Sequence, residues 1–351
     1  MAKISRKTDE LAGFRRELLG WFDACRRDLP WRQTRDPYAI WVSEIMLQQT
    51  RVAAVFPVYK RFMSRFPDLW ELARAPEADV LRLWAGLGYY SRARNLKAAA
   101  VEMCKTGAFP ATHEEIGALP GVGSYTAAAV ASIAFGLPHA AVDGNVLRVL
   151  SRWSADGSDI GSPAGRRRFS ELANNLLSRE RPGAFNEALM ELGATICLPR
   201  KPQCLLCPVA SGCRARQLGR QSEFPVKLRR IKNIEEERKV FWIEDRERVL
   251  VWERPASSRL MAGFWELPER SQLADVEPGE RLGMFRHGIT VHNYRFEVFA
   301  AKAPADLGIC QWVATAELGR LLASTILRKT ERLVRKNLVL GPGRTAAVAS
   351  K

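Results

Sequence analysis

Residues 119–126 read Leu119-Pro120-Gly121-Val122-Gly123-Ser124-Tyr125-Thr126 and open onto an alanine-rich run through Ile133. Two glycines one residue apart permit a backbone turn close to a ligand, and the N–H groups at the start of the following helix can hold a phosphate oxygen. The alternative is a plain connection between helices. Charge favours the phosphate grip: 54 Lys and Arg against 38 Asp and Glu leave a net of +16, a field suited to nucleic acid or an anionic membrane. A membrane span needs about twenty apolar residues. The uncharged run from Ser124 to Val142 is interrupted by Gly136-Leu137-Pro138, so no membrane partner is expected.

Working outward from the hairpin, Val142-Asp143-Gly144-Asn145-Val146 follows eighteen residues after Tyr125. Asp143 at the mouth of a helix reads as an N-cap. Kept ionised by cap hydrogen bonds, it would also stabilise a developing positive charge. Upstream, Glu44 lies among Ile40, Trp41, Ile45 and Leu47 on a helix predicted from Trp41 to Val55. Apolar surroundings raise a carboxyl pKa and fit it for general acid work. One neutral carboxyl donor and one anionic stabiliser form the pair used when a glycosidic bond breaks through an oxocarbenium-like state.

Downstream, Cys197, Cys204, Cys207 and Cys213 fall within seventeen positions, with Pro199, Pro202 and Pro208 among them. Thiolates so closely spaced converge on one centre without a protein core, and prolines reduce the entropy lost in closing the loop. An odd total of seven cysteines argues against a disulfide framework. A [4Fe-4S] cluster is favoured; because only Cys204 and Cys207 form a Cys-x2-Cys knuckle, zinc stays open as the second occupant. The isolated Cys25, Cys104 and Cys310 read as small buried hydrophobes.

A chain of 351 residues exceeds what one hydrophobic core organises. Residues 1–234 carry 35 basic and 22 acidic side chains and residues 235–351 carry 19 and 16, which places the nucleic-acid face in the first part. Apolar residues there recur at helical spacing between short Pro and Gly breaks, predicting a nearly all-helical region over 1–219. The charged stretch 220–239 reads as a linker. Beyond it, Val240–Ile243, Val249–Trp252 and Tyr294–Ala301 read as strands, and a helix from about Ala316 to Asn337 closes a small α+β domain over 240–340, with 341–351 as a tail. No apolar signal core follows the basic N-terminus, so a cytoplasmic location is expected.

The Gly-Val-Gly hairpin, the Asp eighteen residues beyond its Tyr, and the Cys-x6-Cys-x2-Cys-x5-Cys spacing resemble the helix-hairpin-helix DNA glycosylases of the endonuclease III superfamily. Trp41-Val42-Ser43-Glu44-Ile45-Met46-Leu47-Gln48-Gln49-Thr50 and Val142-Asp143-Gly144-Asn145-Val146 narrow the likeness to MutY-type adenine DNA glycosylases. The resemblance implies a multidomain protein: a mainly α helix-hairpin-helix glycosylase with an iron–sulfur cluster loop, plus an α+β Nudix-like C-terminal domain. One helical lobe would span about 36–150. The N-terminal helix and 151–219 would form the other. It further implies a monomeric, nucleoid-associated base excision repair enzyme that removes adenine opposite 8-oxoguanine or guanine in double-stranded DNA. The base would be extruded, since its glycosidic bond is out of reach inside the stack.

Carried over by position, Glu44 would protonate adenine at N7 and Asp143 would stabilise the sugar cation. Tyr125 stands where strand-cleaving members hold a Schiff-base Lys, so base removal without an efficient lyase step is expected. Tyr125 would orient Asp143 or the sugar, and Asn145 a water or phosphate. Trp31, Arg32, Leu47 and Glu187 match the adenine pocket; for Trp31 and Leu47, core packing is the alternative. Gln49 and Tyr89 match residues that fill the gap left in the duplex. Gly121 and Gly123 would grip a phosphate, and the arginines of Ser91-Arg92-Ala93-Arg94 would contact phosphates or, equally, form a solvated helix face.

Leu260-Met261-Ala262-Gly263-Phe264-Trp265-Glu266-Leu267-Pro268 looks like the Nudix-like fold with which the family recognises 8-oxoguanine. The clustered glutamates of a working Nudix hydrolase are missing after Glu266, which implies recognition without hydrolysis. The family's Phe-Ser-His tip is replaced here by Ile289-Thr290-Val291, with His292 displaced by one. Ile289 would wedge, Thr290 hydrogen-bond and His292 contact the lesion. Two rival readings use the same motifs: a bifunctional endonuclease III-like glycosylase/lyase, and a non-enzymatic iron–sulfur DNA-binding protein.

Overall fold

A computed structural model describes residues 2–228, 233–255, 257–258, 261–289, 291–319 and 321–340. Two compact units result, residues 1–230 and 231–351. The first is helical: α1 (Ala2–Cys25), α2 (Pro37–Leu47), α3 (Val52–Arg65), α4 (Leu69–Arg74), α5 (Glu77–Leu83), α6 (Ser91–Thr106), α7 (His113–Ala118), α8 (Ser124–Phe135), α9 (Gly144–Ser154), α10 (Pro163–Leu176), α11 (Pro182–Thr195) and α12 (Arg214–Gln217). No helix among the described residues is long and apolar enough to cross a membrane.

Local sequence explains the ends of the helices that carry the site. Asp36 caps α2 by accepting from Tyr38 N at 3.0 Å, and Pro37 supplies the fixed φ of the first turn. Every residue from Tyr38 to Met46 is buried, so α2 is a central helix. The helix predicted from Trp41 to Val55 is in fact two. It breaks after Leu47, where Gln49 takes φ +55, and α3 restarts at Val52. In α8, half of the buried residues from Thr126 to Ile133 are alanine, which lets neighbouring helices approach closely, and Gly136 at φ +69 ends it.

Asp143 caps α9, whose residues Val146 to Trp153 are all buried. They share a core with Phe14, Leu18 and Phe22 of α1, Phe169 of α10, and Phe185 and Leu192 of α11. Burying each large side chain contributes roughly 1.5–3 kcal/mol. The lobe predicted over 36–150 therefore ends before α9, which belongs with α1, α10 and α11. The reason is that Val146, Leu147, Val149, Leu150 and Trp153 fall on one face of the helix, and that face is buried against α1, α10 and α11.

Within the stretch expected to be a linker, residues 221–226 pack on the first unit. Phe224 is buried, Arg152 Nε donates to the carbonyls of Gln221 and Phe224 at 3.0 Å each, and Ile160 N donates to Val226 O at 3.0 Å. The acidic residues Glu235 to Glu237 begin β1 (Ile234–Trp242), at an end whose side chains stay largely in water.

The second unit continues with β2 (Glu244–Asp245), β3 (Arg248–Glu253), β4 (Trp265–Glu266), β5 (Pro278–Ile289), β6 (His292–Ala301), β7 (Gln311–Ala314) and α13 (Thr325–Leu340). β6 lies between parallel β1 and antiparallel β5, while β3 pairs with β2, β4 and β7. Leu327 and Val334 of α13 enter a core with Val240, Trp242, Phe296 and Val298. The helix predicted from Ala316 starts nine residues later. Leu322 to Ser324 instead satisfy β4, with Trp265 N donating to Leu322 O and Ser324 N to Trp265 O, and Ser324 Oγ then caps α13.

Candidate active site

Folding of the first unit brings Glu44 of α2, Tyr125 at the start of α8 and the Asp143 cap of α9 within electrostatic reach of one another. Glu44 is buried and accepts a 2.7 Å hydrogen bond at Oε2 from the Tyr125 hydroxyl, which also stands 2.9 Å from Met190 Sδ. Burial pushes the Glu44 carboxyl up to about 7; the Tyr125 bond opposes the shift, and the negative charges of Glu187 and Asp143 reinforce it. A carboxyl so placed holds its proton near neutrality and can still give it up. Tyr125 itself is held neutral by burial beside Glu44. It engages Glu44, and not Asp143 as expected.

Asp143 Oδ1 accepts from Val146 N and Oδ2 from Asn145 Nδ2, both at 2.8 Å. Asn145 Oδ1 in turn accepts from Arg148 Nη2 at 2.8 Å. Asn145 thus orients Asp143 and is itself held by Arg148. Burial raises the Asp143 pKa against these bonds, so the expectation that the cap alone keeps it ionised understates the desolvation. Gly193 of α11 packs here: a Cβ on it would lie 2.6 Å from Asn145 Cβ, so only glycine lets α11 approach α9 this closely.

Around the pair, Arg32 Nε lies 3.4 Å from Glu187 Oε1 and its Nη2 2.9 Å from Glu191 Oε2, while Arg27 grips Glu191 at 2.6 and 2.7 Å. Burial raises the Glu187 pKa, whereas Glu191, held by two guanidinium groups against the desolvation, is lowered. Sequence reasoning missed Glu191, although two carboxylates four apart on an apolar helix mark a buried acidic stripe. Trp31 is buried edge-on against Tyr59, with ring centroids 5.1 Å apart; Leu47 is half-buried at the end of α2.

Gln49 and Tyr89 are exposed on two loops, both non-glycine residues at positive φ, +55 and +47. Such conformations cost on the order of 1–3 kcal/mol each and persist where surrounding contacts impose them. Arg92, read as a phosphate contact, is buried behind these loops and bonds their carbonyls. Arg94 pairs with Glu77 at 2.8 Å.

In the hairpin only Gly121 is required by conformation. It has φ +75, and a Cβ would fall 2.6 Å from Asn95 Cβ; Gly123 is extended, at φ −97, with open space around it. Gly123 contributes no side-chain cap to α8, which leaves the first-turn N–H groups to an outside acceptor.

Cys197, Cys204, Cys207 and Cys213 line one cavity with Val149, Arg152 and Trp153, and none is in a disulfide. Arg152 Nη1 donates to Cys197 Sγ at 3.3 Å and Arg148 Nε to Cys197 O at 2.8 Å. Burial, with the other three cysteines, pushes the Cys207 thiol up to about 12. Among the described residues no group of three or more His, Cys, Asp or Glu is arranged to hold a metal ion. Fit to a cluster therefore rests on the donor set, four sulfurs around one cavity with guanidinium groups beside them. Of the isolated cysteines, Cys310 is buried, Cys104 is half-buried and Cys25 is exposed, the last because it ends α1.

In the second unit, Ile289 closes β5 opposite His292, the first residue of β6, so His292 belongs to the strand and not to the tip. It contacts Glu236 Oε1 through Nδ1 and stacks on Tyr294 at 5.7 Å. Thr290 lies outside the described residues, as do Leu260 and 341–351.

Residues 42–174 match the HhH-GPD superfamily of base excision DNA repair proteins. The fold agrees with that class: a solved thermostable thymine-DNA glycosylase superposes with a TM-score of 0.56 at 33% identity, covering 60% of this chain and 99% of that one. The adenine DNA glycosylase of Homo sapiens is 48% identical over 231 residues, 63% of this chain and 42% of that protein. That of Buchnera aphidicola subsp. Schizaphis graminum is 32% identical over 251 residues, 68% and 72% of the respective lengths. The chain belongs to the adenine DNA glycosylase family. It spans less than half the length of the human relative, 42%.

Proposed function

We propose that this protein is a monofunctional DNA glycosylase of base excision repair that hydrolyses the N-glycosidic bond of adenine mispaired with 8-oxoguanine or guanine. The observation that carries this reading is the buried Glu44, hydrogen-bonded by Tyr125 within electrostatic reach of Asp143, where burial pushes its carboxyl up to about 7. Glu44 gives its proton to N7 of the extruded adenine, and the base leaves with the bonding electrons. Asp143, whose cap bonds favour its ionised form more than the single Tyr125 bond favours that of Glu44, stabilises the sugar cation. Water adds at C1′ and its proton returns to Glu44. Tyr125 carries no amine, so no Schiff base forms and the strand stays intact.

Trp31, Arg32, Leu47 and Glu187 wall the base pocket in this reading, and Gln49 and Tyr89 fill the vacated stack. The N–H groups after Gly121 and Gly123 take a backbone phosphate. The four cysteines hold a [4Fe-4S] cluster, which when bound braces a loop bearing Arg200, Lys201, Arg214 and Arg216 and takes no part in bond breaking. The second unit is a Nudix-like 8-oxoguanine reader that works through Ile289, Thr290 and His292. The protein acts as a cytoplasmic, nucleoid-associated monomer.

The test is single-turnover excision on duplexes holding adenine opposite 8-oxoguanine or thymine glycol opposite adenine, each with and without alkali. Adenine release with strand breaks only after alkali is expected, and Glu44→Gln lowers it by about 10²–10⁴-fold with DNA binding retained. Spontaneous scission of the thymine glycol strand favours the lyase reading. Undiminished function of Glu44→Gln favours the non-enzymatic one.

A further inference from the structure

Arg92 lies behind the two loops that present Gln49 and Tyr89, and its guanidinium joins three pieces of chain. Nη1 donates to the carbonyls of Ile45 and Met46 at the end of α2, both at 2.9 Å, and to Gln48 O at 2.5 Å. Nη2 donates to Thr50 Oγ1 at 3.0 Å, Leu87 O at 3.1 Å and Gly88 O at 3.2 Å. The residues so held flank Gln49 on both sides and immediately precede Tyr89. The guanidinium carbon also sits 5.5 Å from the Tyr89 ring centroid and 5.5 Å from that of Trp84. Burial lowers the Arg92 pKa only to about 10, so the group remains charged at neutral pH.

Neither left-handed residue has a glycine's freedom, and the two loops are separated by almost the whole of α3 to α5. A single planar donor that bonds the carbonyls beside both is a physical reason for the two to hold these conformations together. Lysine could not replace it, since an ammonium offers three hydrogens from one point and no fork.

We infer that Arg92 is a positioning residue that locks the Gln49 and Tyr89 loops into one rigid element, so that both side chains meet the duplex already in place, and that it governs base extrusion and not bond cleavage. The inference rests on the reading of Gln49 and Tyr89 as the residues that fill the vacated stack.

The experiment uses full-length protein in the Glu44→Gln background and a duplex with 2-aminopurine opposite 8-oxoguanine, following extrusion by fluorescence, with amide hydrogen exchange over residues 48–51 and 86–90 of the free protein. In Arg92→Lys, extrusion slows about tenfold, exchange quickens in both segments, and affinity for undamaged duplex stays within about twofold. Should that variant fold poorly, Thr50→Val, which removes one bond, shows the same changes at about two- to threefold. In a Gln49→Gly, Tyr89→Gly background, Arg92→Lys has no further effect on extrusion. Unchanged exchange in both segments overturns the proposal, as does an Arg92→Lys effect that persists in the double-glycine background. If the double-glycine protein extrudes at the parent rate while Arg92→Lys still loosens both segments, the stack-filling reading and the extrusion role both fall and only the clamp survives.

Discussion

The hydroxyl of Tyr125 sets how readily Glu44 releases its proton. Its hydrogen bond is the largest influence opposing desolvation, so Tyr125→Phe leaves the carboxyl above its present value of about 7. Excision that needs protonated Glu44 falls as pH rises through that value, and in Tyr125→Phe the fall moves to higher pH. A pH profile of the single-turnover rate checks this, and a limb that stays or moves down refutes it. The same shift acts on stability. Because the folded-state pKa is raised, the stabilisation from neutral Glu44 is complete below 4.5 and is lost as pH rises through about 7, by at most about 3 kcal/mol. Urea melts should therefore show wild type losing stability relative to Glu44→Gln between pH 5 and pH 8. Asp143→Asn separates charge from capping: asparagine caps as well as aspartate, so α9 survives while excision drops by about 10²–10³-fold. A comparable loss of thermal stability would instead mark Asp143 as a cap alone.

Among elements, the hairpin before α8 makes a distinction that its glycine pattern conceals. Gly121→Ala forces a side chain into φ +75 against Asn95, at a cost of about 1–3 kcal/mol and weaker binding to any duplex, whereas Gly123→Ala stays within about 0.5 kcal/mol. Thermal melts and duplex titrations of both variants test this, and equal behaviour refutes it. The hairpin, the Asp143 cap and the strands of the second unit were legible because each is written in neighbouring residues. What was hidden depends on partners distant in sequence. The break after Leu47 follows no Pro or Gly, and Arg92, which looks like a surface cation beside Arg94, finds its acceptors 42 to 47 residues upstream as well as in the adjacent turn. The stretch 220–239 has the composition of a linker, but Arg152 draws the carbonyls of Gln221 and Phe224 inward. The late start of α13 depends on β4 needing partners that no local pattern announces.

Over the whole molecule, charge and cysteine placement act together. The excess of basic residues lies in the first 234 positions, and within them the cysteine loop exposes Arg200, Lys201, Arg214 and Arg216 around a cavity lined by four sulfurs. Two of the four are already engaged: Arg214 lies 4.0 Å from Glu10, and Arg216 donates to Ala210 O at 3.2 Å. Arg200 and Lys201 are therefore the better phosphate ligands. Removing one phosphate-binding cation should lower the slope of log affinity against log salt by about 0.9, so replacing both with Gln flattens it by about two and weakens binding to matched and mismatched duplexes alike. Excision at saturating enzyme is unchanged, since neither side chain approaches Glu44 or Asp143 in this role. In the proposed reading the ligated sulfurs brace the loop, so removing iron with a chelator should lower the same slope in wild type, together with any absorbance near 400 nm, and should have little further effect on the double Gln variant. A salt slope indifferent to both treatments would show that the charge of this loop faces something other than DNA.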